Sequence, residues 1–270
     1  MKLVVLVAPW VLFAGTAHAQ APAPPAQAGR EAAPEVQQAP ARPSGPLQQK
    51  LAPGLARYTD EVLFGEVWPG PGLSPRDRSL AVISVLIATN KPAQLQGHLG
   101  RALTNGVTPV EASGVLTHLA FYAGWPSAVS ALDVYDQVYT TRKVDVSALQ
   151  AATASLRRSP ADDALARAAA EQAGTASQHF ATLADRVVFG DLWRRSDLTI
   201  RDRSLVTIAA LTAMGDADLL EPYVRRGVEA GLTRDQIAEA LTHIAFYAGW
   251  GKATKGLAIV DRTLGTEGAR

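Results

Sequence analysis

The chain has 270 residues, 47% of them hydrophobic and 19% charged, which is the composition of a globular protein and excludes disorder along the whole length. The 26 lysines and arginines nearly balance the 25 aspartates and glutamates. The formal charge of +1 therefore gives no electrostatic basis for binding nucleic acid or an anionic membrane. Cysteine is absent, which excludes disulfides, thiolate nucleophiles and cysteine-ligated metals.

The N-terminal segment has the pattern of an export signal. Lys2 precedes an apolar stretch from Leu3 to Gly15, and Ala17-His18-Ala19 has the small-x-small form of a cleavage site. We predict a cleaved signal over residues 1–19 and a periplasmic or secreted protein, with a retained N-terminal anchor as the alternative. No other segment is apolar for long enough to insert into a membrane. Residues 20–46 are rich in alanine, proline and glutamine, which predicts a disordered tether.

The rest of the chain contains an internal repeat with a constant offset of 125 residues. The matching segments are Phe64-Gly-Glu-Val-Trp68 with Phe189-Gly-Asp-Leu-Trp193, Arg76-Asp-Arg-Ser-Leu80 with Arg201-Asp-Arg-Ser-Leu205, and Thr117-His-Leu-Ala-Phe-Tyr-Ala-Gly-Trp125 with Thr242-His-Ile-Ala-Phe-Tyr-Ala-Gly-Trp250. We predict repeat 1 over 47–140, a connecting segment over 141–175 and repeat 2 over 176–264. Two similar units in one chain favour an intramolecular pseudo-dimer.

Each repeat has the pattern of an all-α unit. Ser74-Pro75-Arg76-Asp77 predicts the start of a buried central helix over Leu80–Ala88, and Thr199 with Asp202 predicts its counterpart. A second helix is expected from Gln94 to Asn105. Capping patterns at Thr108-Pro-Val-Glu111 and Thr233-Arg-Asp-Gln236 predict a third helix in each repeat. In the first copy this helix carries His118 and Tyr122 on one face, with Trp125 one turn further along near its end. Trp68, Trp125, Trp193 and Trp250 are expected to be packing residues, with stacking on a ligand as the alternative.

These motifs resemble γ-carboxymuconolactone decarboxylase. The resemblance is carried by the Phe64–Trp68 run, Gly72–Leu80, Gly97-His98 to Thr108, and Ala120–Pro126. It spans residues 50–140 and again 176–264. It implies an all-α fold of the alkylhydroperoxidase D-like superfamily, whose members assemble as trimers or hexamers, and we expect a homo-oligomer, a trimer of pseudo-dimers.

The resemblance also bears on the thiol-peroxidase branch of that superfamily, which uses a glutamate, two cysteines and a histidine. Those positions fall on Ser79, Lys91, Gln94 and His98 in repeat 1, and on Ser204, Asp216, Leu219 and Tyr223 in repeat 2. Only His98 matches. Thiol peroxidase activity is therefore rejected.

The decarboxylase reaction that the resemblance implies releases carbon dioxide from an unsaturated lactone and reprotonates the dienolate, without a metal or organic cofactor. The protein has to bind carboxylates, stabilise an oxyanion and deliver a proton. His98 is the candidate catalytic acid and base, the alternative being a histidine satisfied within a helix interface. Its counterpart Tyr223 indicates that the second site is altered or inactive.

Further candidate residues for substrate binding occur in both repeats. Arginine suits bidentate binding of a carboxylate, but salt bridges across the repeat interface are the competing interpretation for the arginines at the starts of the central helices. The histidine and tyrosine of each third helix either line a pocket or bridge the repeats, and a metal site is not expected. The candidate substrate-binding residues are Arg76, Arg78, His118, Tyr122, Trp125, Arg201, Arg203, Tyr223, His243 and Tyr247.

The sequence thus predicts an exported, cofactor-free lyase or isomerase acting on a small carboxylated lactone or oxo-acid. The export signal argues against the housekeeping decarboxylase itself, because aromatic-ring catabolism finishes in the cytoplasm. The alternative is a non-catalytic periplasmic protein that binds small molecules or acts as a scaffold.

Overall fold

The computed structural model describes residues 43–150 and 155–265, so the predicted signal and most of the predicted tether lie outside the described residues. Over the described ranges every element is helical apart from an isolated bridge between Ser155 and Arg195, which confirms the all-α prediction. The α-helices are α1 (Pro46–Leu51), α2 (Pro53–Arg57), α3 (Pro75–Ala88), α4 (Pro92–Thr104), α5 (Pro109–Tyr122), α6 (Trp125–Ser130), α7 (Leu132–Arg142), α8 (Pro160–Ala173), α9 (Gln178–Leu183), α10 (Ile200–Met214), α11 (Leu220–Glu229), α12 (Arg234–Ala248) and α13 (Trp250–Leu264).

Shorter turns complete the chain. Wide π-helical turns cover Tyr58–Val67 and Ala184–Phe189, and 3₁₀ turns cover Val146–Gln150, Leu192–Arg194 and Ala217–Leu219. Within the described part of the chain, no helix is both long and apolar enough to cross a bilayer.

The central helices α3 and α10 begin where the capping pattern predicts. The Ser74 side chain accepts a hydrogen bond from the backbone N–H of Asp77, and Thr199 does the same for Asp202. From Leu80 to Ala88, α3 is buried on all sides. Such a helix needs apolar neighbours all round, and these come from both repeats.

The two repeats interlock as a pseudo-dimer. Helices α3 and α10 pack against each other at the centre, α12 of repeat 2 packs on α3, and α5 of repeat 1 packs on α10. One continuous apolar core therefore contains residues of both repeats. Any site beside a central helix consequently combines side chains from the two halves of the chain.

A reciprocal ion network joins the starts of the central helices. Arg76 contacts Asp202 at 2.8 Å and Glu111 at 2.6 Å, while Arg201 contacts Asp77 at 2.7 Å. Both aspartates are almost fully buried. Their carboxylates, expected to act in capping, thus bind the arginine of the opposite repeat.

The third helices begin as predicted, with full capping boxes at Thr108 and Thr233, but end earlier than predicted. Helix α5 ends at Tyr122, and Gly124, at a φ of 86°, turns the chain before Trp125 begins α6. The placement of Trp125 near the end of the third helix is therefore wrong. Trp125 is 58% exposed and Trp250 is 65% exposed, so these two tryptophans are not core packing residues either.

The connecting segment contains an unpredicted helix, α8. Its N-cap Ser159 and Asp162 form a capping box, and its Leu165 and Ala166 pack on Phe189 and Trp193 of repeat 2. Helix α8 therefore covers part of repeat 2 instead of merely joining the repeats.

Packing also begins before Leu47, the predicted start of repeat 1. Ser44 is buried, and its backbone N–H and hydroxyl donate to the Asp60 carboxylate at 2.7 and 2.8 Å.

Candidate functional site

An aromatic cluster on repeat 1, called site 1, is the best candidate for a functional site. Helix α4 contributes His98, the residue after the first π-helical segment contributes Trp68, and α12 of repeat 2 contributes His243 and Tyr247. Site 1 consists of Trp68, Arg78, His98, Arg101, Glu239, His243 and Tyr247.

The rings of site 1 lie in contact with one another. The centroid of the His98 ring is 5.2 Å from that of Tyr247 and 6.0 Å from that of Trp68, which lies 4.7 Å from the ring of His243. The Trp68 indole N–H donates to the Tyr247 hydroxyl at 3.0 Å. His98 and the residues of α12 therefore share one cluster, although 145 residues separate His98 from His243 in the sequence.

Arg78 lies fully buried beneath this cluster and fixes the protonation of His243. Its guanidinium donates to Nδ1 of His243 at 3.1 Å, to the carbonyl of Gly70 at 2.9 Å and to Glu239 at 2.8 Å. An arginine can only donate, so Nδ1 of His243 is the acceptor. In the neutral ring the proton is then on Nε2, which makes this atom a hydrogen-bond donor.

Two buried ring nitrogens of site 1 have no hydrogen-bond partner, Nδ1 of His98 and Nε2 of His243. Burial first, and then the charge of Arg101, lowers the pKa of His98 to about 4. Burial, followed by the charge of Arg78, lowers the pKa of His243 to about 3. Both rings are therefore neutral at pH 7, and each has a nitrogen that a bound molecule could engage.

Repeat 2 carries an equivalent cluster, called site 2. It consists of Trp193, Arg203, Tyr223, Arg226, Asp197, His118 and Tyr122, the last two from α5 of repeat 1. The Trp193 indole donates to the Tyr122 hydroxyl at 2.7 Å, and Arg203 lies 3.3 Å from Nδ1 of His118. Both contacts repeat those of site 1.

In site 2, by contrast, the imidazole and tyrosine groups have hydrogen-bond partners within the protein. Tyr223 stands where site 1 has His98, and the Tyr122 hydroxyl donates to it at 3.1 Å. Nε2 of His118 contacts the Thr207 hydroxyl at 2.8 Å, whereas the position equivalent to Thr207 in repeat 1 is Val82. No ring nitrogen of His118 is left without a partner, whereas Nε of Arg203 and both Nε and Nη1 of Arg226 are buried in site 2 without one.

The family model for "Carboxymuconolactone decarboxylase family" matches the chain twice, over residues 53–137 and 178–262. Together the two matches cover more than half of the chain. The chain belongs to the carboxymuconolactone decarboxylase family.

Two relatives are each similar to the chain over 82 residues, which is 30% of its length. The 4-carboxymuconolactone decarboxylase of Acinetobacter baylyi is 38% identical over its match, and the nitrosuccinic acid decarboxylase of Metarhizium robertsii is 37% identical over its own. The match spans 61% of the first relative and 57% of the second, about three-fifths of each.

The candidate arginines of this family member divide into two kinds. Arg78 and Arg203 are fully buried parts of sites 1 and 2, in which each contacts a histidine. Arg76 and Arg201 lie in the ion network of the repeat interface, paired with carboxylates. No contact of a described residue joins this second pair to either aromatic cluster.

The remaining candidates are placed as follows. His118 and His243 each contact an arginine of the opposite repeat, which supports the interpretation that they bridge the repeats, while the lining of a pocket stays a prediction. Trp125 is outside both sites and packs against Phe121 at the surface.

Sequence reasoning missed several members of the sites. Arg101 and Arg226 occur in both copies, one helical turn after His98 and Tyr223, and this repetition could have revealed them. Glu239 and Asp197 could not be found in this way, because the equivalent positions in the other copy are glycines, Gly114 and Gly72.

Proposed function

We propose that the protein is a carboxy-lyase that decarboxylates a small carboxylated lactone or oxo-acid at site 1 without a cofactor. The observation that carries this proposal is the pair of buried, unpartnered ring nitrogens on His98 and His243. Site 2 has neither of these free nitrogens, because Tyr223 replaces the first histidine and the Thr207 hydroxyl binds Nε2 of His118. The names of the two relatives support the reaction class.

The chemistry assigns a separate role to each histidine. When the bond between the carboxylate and the substrate carbon breaks, carbon dioxide leaves and its bonding electrons delocalise onto a carbonyl oxygen. The Nε2–H of neutral His243 donates to that oxyanion and stabilises it without proton transfer. A protonated His98 then gives its proton to the carbon, so that one proton is consumed for each carbon dioxide released.

His98 has to gain that proton as the substrate binds. Its pKa of about 4 in the ligand-free site reflects burial and the charge of Arg101. A bound carboxylate has the opposite charge and raises the pKa of the imidazole. Formation of the complex thus protonates the acid that the last step requires.

The test measures carbon dioxide release and ultraviolet absorbance with γ-carboxymuconolactone and a panel of related lactones and oxo-acids. Replacing His98 with Gln removes the proton donor, and we expect the rate to fall about 10²- to 10⁴-fold. The matched control, Tyr223→Phe, changes the equivalent position of site 2 and should keep the wild-type rate.

If no panel compound is turned over by wild-type protein, yet the compounds bind, the lyase proposal is wrong. In site 2 both ring nitrogens of His118 and the Tyr223 hydroxyl have partners, which supports an aromatic cluster that is kept without a free imidazole nitrogen. Binding without turnover would therefore favour the non-catalytic alternative.

Export and assembly remain part of the proposal. The N-terminal pattern supports a periplasmic or secreted location, and the exposed Trp125 and Trp250 support contacts between chains. Cell fractionation tests the location, and light scattering of wild type against Trp125→Ala tests the homo-oligomer.

A further inference from the structure

Site 2 contains a buried ion pair that does not follow the repeat. Arg226 of α11 and Asp162 of α8 contact each other at 2.5 Å, and their side chains are only 3% and 2% exposed. The guanidinium carbon of Arg226 lies 4.1 Å from the centre of the Trp193 ring. A carboxylate from the connecting helix therefore occupies the space beside this cation, inside the aromatic cluster.

Asp162 is held in that place by the start of its own helix. Its second carboxylate oxygen accepts hydrogen bonds from the backbone N–H of Ser159 at 2.7 Å and from the Ser159 hydroxyl at 2.8 Å. The carboxylate is thus fixed by the capping box while its other oxygen faces Arg226.

Arg101 is the equivalent cation in site 1. It also lies over the tryptophan of its site, 5.1 Å from the centre of the Trp68 ring, and it follows His98 by one helical turn, as Arg226 follows Tyr223. Its charge acts on both His98 and Tyr247. Unlike Arg226, Arg101 is exposed and forms no ion pair with any described residue.

We propose that Arg101 binds a carboxylate of the substrate, and that Asp162 occupies in site 2 the place that this carboxylate takes in site 1. The inference rests on the proposed function, whose catalytic site it extends by a substrate-binding residue. In each site an arginine lies over the ring of the tryptophan. In site 2 this arginine is paired with the carboxylate of Asp162, whereas in site 1 no described carboxylate is paired with it. A molecule that supplies its own carboxylate completes the arrangement.

The charge of Arg101 also limits which carboxylate it can bind. Loss of carbon dioxide removes negative charge from the reacting carboxylate, so a cation paired with that group stabilises the ground state and slows the reaction. Arg101 therefore binds a second, non-reacting carboxylate. Substrates with two carboxylates are expected to bind more tightly than those with one.

The first experiment measures binding of succinate, an unreactive dicarboxylate, by calorimetry, together with turnover of the lactone panel. We expect Arg101→Gln to weaken succinate binding about 10- to 100-fold and to raise KM by a similar factor, while kcat changes less than about threefold. Arg262→Gln is the control, because it removes one positive charge from an exposed position of α13. Unchanged succinate binding by Arg101→Gln would overturn the inference.

This design separates the inference from the proposed function. If succinate binding depends on Arg101 but no lactone is decarboxylated, the carboxylate site stands and the lyase proposal fails. If the lactones are decarboxylated normally but succinate binding does not depend on Arg101, the lyase proposal stands and the carboxylate site fails.

The second experiment tests the role of Asp162 by chemical rescue. Asp162→Ala leaves Arg226 without its carboxylate, and we expect acetate to raise the melting temperature of this variant by several degrees above the effect of equal chloride. Asp163→Ala, which removes a half-exposed neighbour paired with Arg158, should show no such effect. An equal response of both variants to acetate would contradict the assignment of Asp162. Should Asp162→Ala fail to fold, the Arg101 experiment still decides the inference, because that residue is at the surface.

Discussion

At the scale of single residues, the difference between the two sites depends on a few substitutions inside a shared framework. Val82 and Thr207 occupy equivalent positions on α3 and α10, both fully buried. The threonine hydroxyl accepts from Nε2 of His118, and valine leaves Nε2 of His243 without an acceptor. A single hydroxyl group thus decides whether the imidazole is available to a ligand.

We expect Val82→Thr to reduce kcat about tenfold or more, because the new hydroxyl would accept the Nε2 proton of His243 that stabilises the oxyanion. The free energy of unfolding should change little or rise, since a buried donor gains a partner worth about 1 kcal/mol. Steady-state kinetics and urea unfolding measure the two effects.

Thr207→Val is the matched control for this prediction. It removes the acceptor of His118 and should lower stability by about 1–3 kcal/mol without affecting turnover at site 1. Full activity in Val82→Thr would show that Nε2 of His243 has no role in the reaction.

Sequence reasoning at this scale succeeds where a residue matches the family motif and fails where its role depends on the opposite repeat. His98 and Tyr223 are found by their position in the motif and the repeat. The pairing of His243 with Arg78 depends on α12 packing against α3, and no local pattern of the sequence encodes that contact.

At the scale of elements, helix α8 is the main difference between the surroundings of site 1 and site 2. Its residues Leu165 and Ala166 form a small apolar cluster with Phe189 and Trp193, and its Asp162 enters site 2. The helix could have been predicted from Ser159-Pro160-Ala161-Asp162, which repeats the capping pattern at the starts of α3 and α5. Only its position on repeat 2 required the structure.

Leu165→Ala should destabilise the protein by about 2–4 kcal/mol, because it leaves a cavity in the cluster that covers Trp193. Activity should persist, since α8 packs on Phe189 and Trp193 and contributes no residue to site 1. Urea unfolding measures the first effect, and a turnover assay of the folded variant measures the second.

Leu47→Ala on α1 serves as the comparison for this prediction. Leu47 is 72% exposed, and its truncation should change the free energy of unfolding by less than about 0.5 kcal/mol. A turnover loss in Leu165→Ala equal to that of His98→Gln would contradict the separation of the two sites.

At the scale of the whole molecule, burial of neutral histidines couples stability to pH. The pKa of His118 lies well below its usual value, first through burial and then through the charges of Arg203 and Arg226, and the pKa of His243 is about 3. In the unfolded chain both titrate near 6.5. The unfolded state therefore binds more protons at pH 5, so their contribution to stability is complete above about pH 6.5 and is lost as the pH falls towards the folded values.

Between pH 7 and pH 5 we expect each of these two histidines to lower the free energy of unfolding by up to about 2 kcal/mol. His118→Gln should remove its share of this loss, so its curve of stability against pH should be flatter than that of the wild type. His179→Gln, at an exposed position of α9, is the control and should leave the slope unchanged. Parallel curves for wild type and His118→Gln, measured by urea unfolding, would refute the expectation.

The pseudo-dimer is predictable from the sequence, because the helix-capping motifs and the apolar stretches of the two central helices recur with an offset of 125 residues. Which helix of one repeat packs on which helix of the other is not, since α5 and α12 are apolar on several faces and each packs on the central helices of both repeats. The interlocked arrangement was decided by contacts between distant parts of the chain.

The partners of the buried arginines bear on whether each repeat could pair with a copy of itself. Arg78 receives its carboxylate from Glu239 of the opposite repeat, and Arg203 receives its own from Asp197 of the same repeat. A Cβ atom at Gly72 would lie 3.0 Å from Glu239, and one at Gly114 would lie 3.1 Å from Asp197, so each acidic side chain uses the space that a glycine leaves.

Two copies of repeat 1 pairing with each other would place glycines at both positions and leave the buried Arg78 without a counter-charge. Two copies of repeat 2 would bring both acids into the space that holds one. We therefore expect that neither half would form a stable homodimer if the two repeats were expressed separately.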